Sequence, residues 1–211
     1  MLRKPLNKRI ARRDMLQLIA TIVGQFFRTV SESGFEIYNE SELQHELGCL
    51  LRKELPPGWR VRFELPAGSF IPSIPRLTKK EIDLVVTDGS QYYAVELKCP
   101  RQGRHPETMF DICKDLAFLE ELIEVGFRGG LFVIHVEDAL FYDRGSTDGI
   151  YAYFRSGKPL TGIVSKPTGQ STSAVNLRGS YDVRWQECGQ HARYWIQLVS
   201  NLPLGSDPKS L

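Results

Sequence analysis

The stretch that decides the fold runs from Glu81 to Lys98: Glu81-Ile82-Asp83-Leu84-Val85-Val86, a turn at Asp88-Gly89-Ser90, then Tyr92-Tyr93-Ala94-Val95-Glu96-Leu97-Lys98. Two apolar, β-branched runs around a Gly-containing turn predict a β-hairpin. With Gly89-Ser90 as a two-residue loop, Asp88 faces Gln91 and paired positions sum to 179. Asp83 then lies opposite Glu96, and directly opposed residues project to one face. Lys98 is two residues beyond Glu96 and shares that face. The hairpin thus gathers two carboxylates and a lysine, with small Ala94 beside them. A three-residue loop would need a bulge to restore the arrangement.

Outward from the hairpin, Ile82, Leu84, Val86, Val95 and Leu97 are expected to fill the opposite face. Val85 and Ala94 leave the acidic face partly apolar, which predicts a helix above it. Upstream, Met15, Leu18, Ile19, Ile22, Val23, Phe26, Phe27 and Val30 keep i, i+3, i+4, i+7 spacing. That spacing predicts an amphipathic helix over 14–33, with Gly34 as its stop, rather than a signal peptide. Its Phe stripe packs in cis or buries a dimer interface, and cis packing is preferred. A second helix starts near Asn39 or Ser41, where Ser41 and Gln44 fit a capping box, and it ends at Pro56-Pro57-Gly58. Val61–Leu65 alternates as a strand, and a loop with Pro66, Gly68, Pro72 and Pro75 leads into the hairpin. Downstream, a helix over 107–125 precedes Leu131–Val136, an apolar run suited to a buried parallel strand. Ala192–Val199 reads as a last strand. The expectation is an α/β fold: a mixed sheet flanked by helices, plus an N-terminal helix.

At 211 residues the chain suits a single domain over 1–200. Its parts are a basic arm and helix at 1–35, a core at 36–140, and a variable basic region with the last strands at 141–200. Residues 201–211 are expected to be a flexible tail. A charged fraction of 25% and a hydrophobic fraction of 42% exclude a wholly disordered chain. No apolar run is long enough for a membrane-spanning helix, so no membrane partner is expected. Cys49, Cys99 and Cys113 sit among apolar residues and read as small buried hydrophobes. No Cys-x-x-Cys pair occurs, no His/Cys metal centre is expected, and a reducing, cytoplasmic compartment is. Neither a Gly-x-Ser-x-Gly nor a phosphate-binding loop motif is present, which argues against a serine hydrolase or a P-loop enzyme.

Two converging carboxylates offer hard oxygen ligands to Mg2+, with Mn2+ as its substitute. Such an ion acidifies a bound water and stabilises charge building on phosphorus, while a lysine orients the water or holds the phosphate. On the second helix Glu46 borders the apolar stripe set by Leu43, Leu47 and Leu50, so it is favoured as an accessory acid. Glu42 is its alternative. The plainer reading of Asp83, Glu96 and Lys98 is an exposed cross-strand ion-pair cluster, each pair worth under about 1 kcal/mol.

The pattern of Asp83, twelve intervening residues and Glu96-Leu97-Lys98, with Glu46 on the helix before it, resembles the PD-(D/E)xK nuclease superfamily. That family has the restriction-endonuclease-like αβββαβ core, and the resemblance covers about residues 41–136. Segments such as Ser41–Leu47 and Lys114–Glu120 look like those of uncharacterised bacterial nuclease-like proteins. Ile82 stands where the family's name has proline. The resemblance implies Mg2+-dependent phosphodiester hydrolysis, with DNA ahead of RNA as substrate. Asp83 and Glu96 would be metal ligands, Lys98 the water-orienting residue and Glu46 the accessory acid. Dimerisation or a partner subunit would follow the habit of such nucleases. Arg101, Arg104, Lys114, Arg155, Lys158, Lys166 and Arg178 are candidate nucleic-acid contacts, the last four lying in the acid-free stretch 149–181. Solvated loops account equally well for Arg101 and Arg104, and an exposed helix face for Lys114 and Asp115. The basic N-terminus is either an arm on a nucleic-acid backbone or a solvated helix lead-in. A non-catalytic or partner-dependent nucleic-acid-binding module on the same fold is the competing function.

Overall fold

The computed structural model describes residues 12–70, 77–101, 103–168 and 173–200. The basic arm before Arg12, Pro72 and Pro75, and the tail from 201 lie outside the described residues. The chain runs α1 (Arg12–Ser33), α2 (Glu40–Glu54), β1 (Arg60–Pro66), β2 (Glu81–Thr87), β3 (Tyr92–Lys98), α3 (His105–Glu124) and β4 (Gly129–Val136). Then come α4 (Tyr151–Arg155), β5 (Leu160–Ser165), β6 (Ala174–Tyr181), β7 (Gln186–Cys188) and β8 (Ala192–Val199). A six-stranded sheet has the order β1-β2-β3-β4-β8-β7, and β5 and β6 form a separate hairpin. Among the described residues only β3 and β4 pair in parallel, joined by α3 as a crossover, so the sheet is mixed. Among the described residues no helix is long and apolar enough to cross a membrane.

The hairpin register follows the expected sum: Leu84 pairs with Val95, Val85 with Ala94, Val86 with Tyr93 and Thr87 with Tyr92. Asp88 sets the turn by accepting N–H bonds from Ser90 and Gln91, both at 2.8 Å. Gly89 supplies the left-handed residue that the turn needs, at φ 94°.

Two apolar layers sandwich the sheet. On one side, α1 and α2 pack against Leu84, Val86, Val95, Leu97, Leu131 and Val133. On the other, α3 packs against Val85, Ala94, Phe132 and Ile134. The Phe stripe of α1 is spent in cis: Phe27 is buried and stacks on Tyr194, with ring centroids 4.3 Å apart. Ile82 departs from expectation and joins the α3 layer instead of the α1/α2 layer. The cause lies next door. Glu64 adopts a left-handed φ of 49°, and pairing of β1 with β2 skips the Glu64–Asp83 step, resuming at Leu65–Ile82. The pleat changes face across that step, at the strand position that carries Asp83.

Helix α2 begins one residue before Ser41. Asn39 is its N-cap, accepting the Glu42 N–H at 2.8 Å, and Glu42 reaches back to the Tyr38 N–H at 2.5 Å. Asn39 and Glu42 thus form the capping pair expected of Ser41 and Gln44. Region 149–181, expected as a variable segment, contains α4 and the β5–β6 hairpin. The hairpin lies over α3, tied down by buried Glu120. That carboxylate accepts from the Gly179 N–H (2.7 Å), the Arg178 N–H (3.0 Å) and the Tyr181 hydroxyl (2.6 Å).

At Gly48, α2 lies so near β1 that a Cβ would overlap Cζ of the Phe63 ring. Alanine in a helix interior ordinarily gains about 1 kcal/mol over glycine. Here overpacking wins, and Gly48→Ala is expected to lower stability by roughly 1–2 kcal/mol in urea denaturation. Phe63→Leu in the same chain should recover most of the loss.

Candidate active site

Asp83 and Glu96 meet at the open end of the β2–β3 hairpin, and Lys98 joins them through Asp115, which it shares with Lys79. Past Leu84–Val95, the Asp83 carboxylate continues the ladder in place of backbone: its Oδ2 accepts the Leu97 N–H at 2.7 Å. The Asp83 N–H points to Glu96 Oε1 at 3.4 Å. Glu96 is fully buried, under α3 as its face predicted.

Three further residues complete the cluster. Asp115 of α3 is buried, with Oδ2 3.1 Å from Lys98 Nζ and Oδ1 3.0 Å from Lys79 Nζ. Lys79, from the segment entering β2, also donates to Glu96 Oε2. Glu40, the first residue of α2, places Oε1 3.9 Å from Lys98 Nζ and accepts the Cys99 N–H at 3.1 Å through Oε2.

The electrostatics are those of a site short of positive charge. Fully ionised, the carboxylates of Glu40, Asp83, Glu96 and Asp115 outnumber the two ammonium groups by two charges. Burial raises the pKa of Glu96 well above the usual carboxylate value, and the Asp83 charge adds to it. Burial also raises Asp83, against the pull of Lys79, the Leu97 N–H and Lys98. It raises Glu40 against Lys98 and the Cys99 N–H. Burial acts to lower the pKa of both lysines, but carboxylates outweigh it: Asp115 and Glu40 at Lys98, and Glu96 and Asp115 at Lys79. Both lysines are therefore held protonated at neutral pH.

The donor set fits a hard divalent cation by charge and chemistry. The site has an excess of buried oxygen donors, and Asp115 Oδ2 is buried without a hydrogen-bond partner of good geometry. Among the described residues no three His, Cys, Asp or Glu side chains stand arranged as a metal cage. Mg2+ asks for less, because it takes one or two carboxylates and fills its shell with water and substrate oxygens. Asp83 and Glu96 are the pair that would hold it, and Lys79 competes with it for Glu96.

Other expected site residues lie elsewhere. Glu46 is corrected: it sits half-exposed on the outer side of α2, 3.1 Å from His45 Nδ1, and its rotation about the helix turns it away from the sheet. Glu42 is spent on the helix cap. Glu40 has the place intended for them, because it shares the buried row of α2 with Leu43, Leu47 and Leu51. Arg101 bonds the Ile37 carbonyl (2.9 Å) and Glu137 (3.1 Å). Arg155 clamps the carbonyls of Leu140 and Ser146, and Arg178 pairs with Glu120 and Glu124. These three arginines serve the fold. Lys158 lies over the Tyr153 ring, 4.8 Å from its centroid. Arg104, Lys114 and Lys166 line one cleft of about 190 Å³ with Glu107 and Asp111. Lys114 is paired there with Asp111 at 2.5 Å.

Sequence reasoning missed Glu40, Lys79 and Asp115 as members of the cluster. Two of them left a signal: Glu40 precedes Leu43 in the apolar row of α2, and Asp115 interrupts the Ile112–Leu116–Leu119 row of α3. An acid in an apolar row announces a buried charge. Lys79 lies outside any periodic element and left none. No family model, curated protein or solved structure matches the chain.

The charge imbalance gives opposite expectations for its members. Glu96→Gln relieves carboxylate repulsion and should stabilise the fold on the order of 1 kcal/mol at neutral pH. Lys79→Met removes a compensating charge and should cost about 3–5 kcal/mol. Carboxyl groups with raised pKa make the folded state the better proton binder. Their contribution is greatest at low pH and is lost as pH rises from the ordinary carboxylate range through their raised values. Thermal unfolding across pH should show that decline, flattened in Glu96→Gln. A fall in melting temperature for Glu96→Gln at neutral pH would mean that its pairing with Lys79 outweighs the repulsion.

Proposed function

We propose that the protein is a Mg2+-dependent phosphodiesterase with a restriction-endonuclease-like core, hydrolysing nucleic-acid backbones, with DNA ahead of RNA. The observation that carries this reading is the convergence of Asp83, Glu96 and Lys98 on a buried site two positive charges short. The order α2-β1-β2-β3-α3-β4 supports the PD-(D/E)xK resemblance.

In this reading Asp83 and Glu96 hold the ion, and Mn2+ serves in its place. When bound, the ion stabilises charge developing on the phosphoryl oxygens and acidifies a water. Lys98 is kept protonated by Asp115 and Glu40, so it acts as a donor that orients the attacking water or a phosphate oxygen. It does not abstract a proton. Glu40 is the accessory acid in place of Glu46. Its carboxyl is half-exposed, 3.9 Å from Lys98, and burial has raised its proton affinity, which suits it to receive the water's proton. Asp115 positions Lys98. The cleft of Arg104, Lys114 and Lys166 supplies backbone contacts.

A second reading, a non-catalytic or partner-dependent nucleic-acid-binding module, draws on one observation: the Lys79 ammonium occupies a Glu96 oxygen. One experiment separates the two. The purified chain is incubated with supercoiled, linear and single-stranded DNA and with RNA, in Mg2+, Mn2+ or EDTA. Nuclease function predicts metal-dependent cleavage that falls by about 10²-fold or more in Asp83→Ala and Lys98→Ala, and clearly in Glu40→Gln. Glu46→Ala should cleave like the parent. Nucleic-acid binding by a folded chain with no cleavage of any polymer would favour the binding module.

A further inference from the structure

On the exposed side of α2, away from the acidic cluster, lies His45-Glu46-Leu47-Gly48-Cys49. Its residues at i and i+4 stand one turn apart on one face, the spacing by which His-Glu-x-x-His helices bind zinc. His45 Nε2 is 3.8 Å from Cys49 Sγ. Zinc bond lengths of about 2.3 Å to sulfur and about 2.0 Å to nitrogen, at the tetrahedral angle, put the two donors roughly 3.5 Å apart. The pair is therefore set close to a chelating separation. The other imidazole nitrogen is engaged as well, since His45 Nδ1 meets Glu46 Oε1 at 3.1 Å. A carboxylate on Nδ1 fixes the tautomer that leaves Nε2 free to ligate. Cys49, expected as a buried hydrophobe, is the one exposed cysteine of the four.

Two donors are half of a structural zinc site. Among the described residues no third His, Cys, Asp or Glu joins them. Beside them a groove of about 540 Å³ opens between α1 and α2, lined by Phe26, Val30, Phe35 and Leu50, with Glu46 and Cys49 on its wall. Phe35 is 41% exposed there. A two-fold axis through this face would bring a second His–Cys pair opposite the first and cover both grooves, because a two-fold interface uses the same patch on each copy. We propose that His45 and Cys49 form half of a tetrahedral Zn2+ site that a second copy of this chain completes, giving two nitrogen and two sulfur ligands. Each Cys49 ligates as its thiolate, releasing its proton to solvent on binding. Glu46 acts as a positioning residue for His45.

The test uses the full, reduced chain. Co2+ titration, followed by the thiolate-to-cobalt absorption band, reads the sulfur ligand, and sedimentation with and without Zn2+ reads the assembly. The expected result is one metal per two chains and a doubled mass in Zn2+, reversed by EDTA and not produced by Mg2+. Cys49→Ser and His45→Gln should lose both the band and the dimer. Glu46→Gln should keep the stoichiometry with affinity about 10–100-fold weaker. Glu40→Gln, which retains an acceptor for the Cys99 N–H, should keep both, which separates this site from the acidic cluster. Absence of the thiolate band, or a band at one metal per chain with unchanged mass, would overturn the proposal.

Discussion

The short bond from the Leu97 N–H to the Asp83 carboxylate is the constraint on which the rest turns. It lets β2 and β3 part without leaving a backbone donor unmet. The space opened there admits Glu96 and Lys98, and helix α3 closes over it with Asp115. A buried N–H without a partner would cost about as much as a lost hydrogen bond, so the strands could not separate here unless a side chain replaced the ladder. The apolar layers on either face then decide where the charges can lie. Leu84, Val86, Val95 and Leu97 hold one face against α1 and α2, which leaves the ionic groups the other face and the end of the strands.

Much of this was legible in the chain, and the reasons are local. The Asp88-Gly89-Ser90 turn fixes the hairpin register, and register fixes which side chains share a face. Asp83, Glu96 and Lys98 could therefore be placed together from spacing. The face change at Ile82 could not, because it follows from the left-handed backbone at Glu64 on a neighbouring strand. Glu46 was misplaced because the buried row of α2 runs through Leu43, Leu47 and Leu51 and does not extend to its side of the helix. Glu40 is in that row, at the end of α2 nearest Lys98. Lys79 is brought in by tertiary path alone, as a residue outside periodic structure contacting groups 17 and 36 positions later. The basic stretch 149–181 was read from composition, and composition does not distinguish cations that face solvent from those that hold loops. Arg155 and Arg178 are of the second kind.

The cluster also joins two demands that pull apart. In the function proposed above the gathered anions receive a cation, and without one the fold carries their repulsion. Lys79 and Lys98 meet part of it, and the pKa values of Glu40, Asp83 and Glu96 record the remainder. Sites poised for binding are commonly places where a protein gives up stability it could have had.

Glu120 has a mechanical role. It grips the β5–β6 hairpin by two main-chain N–H groups and a tyrosine hydroxyl, and it stands on α3 five residues after Asp115. Hairpin and helix are thus riveted together, and the wall of the Arg104–Lys114–Lys166 cleft is formed from both. A load on the hairpin is passed to the helix that seats Asp115 rather than dissipated in a loose flap. The appended hairpin is thereby a rigid extension of the helix that seats Asp115.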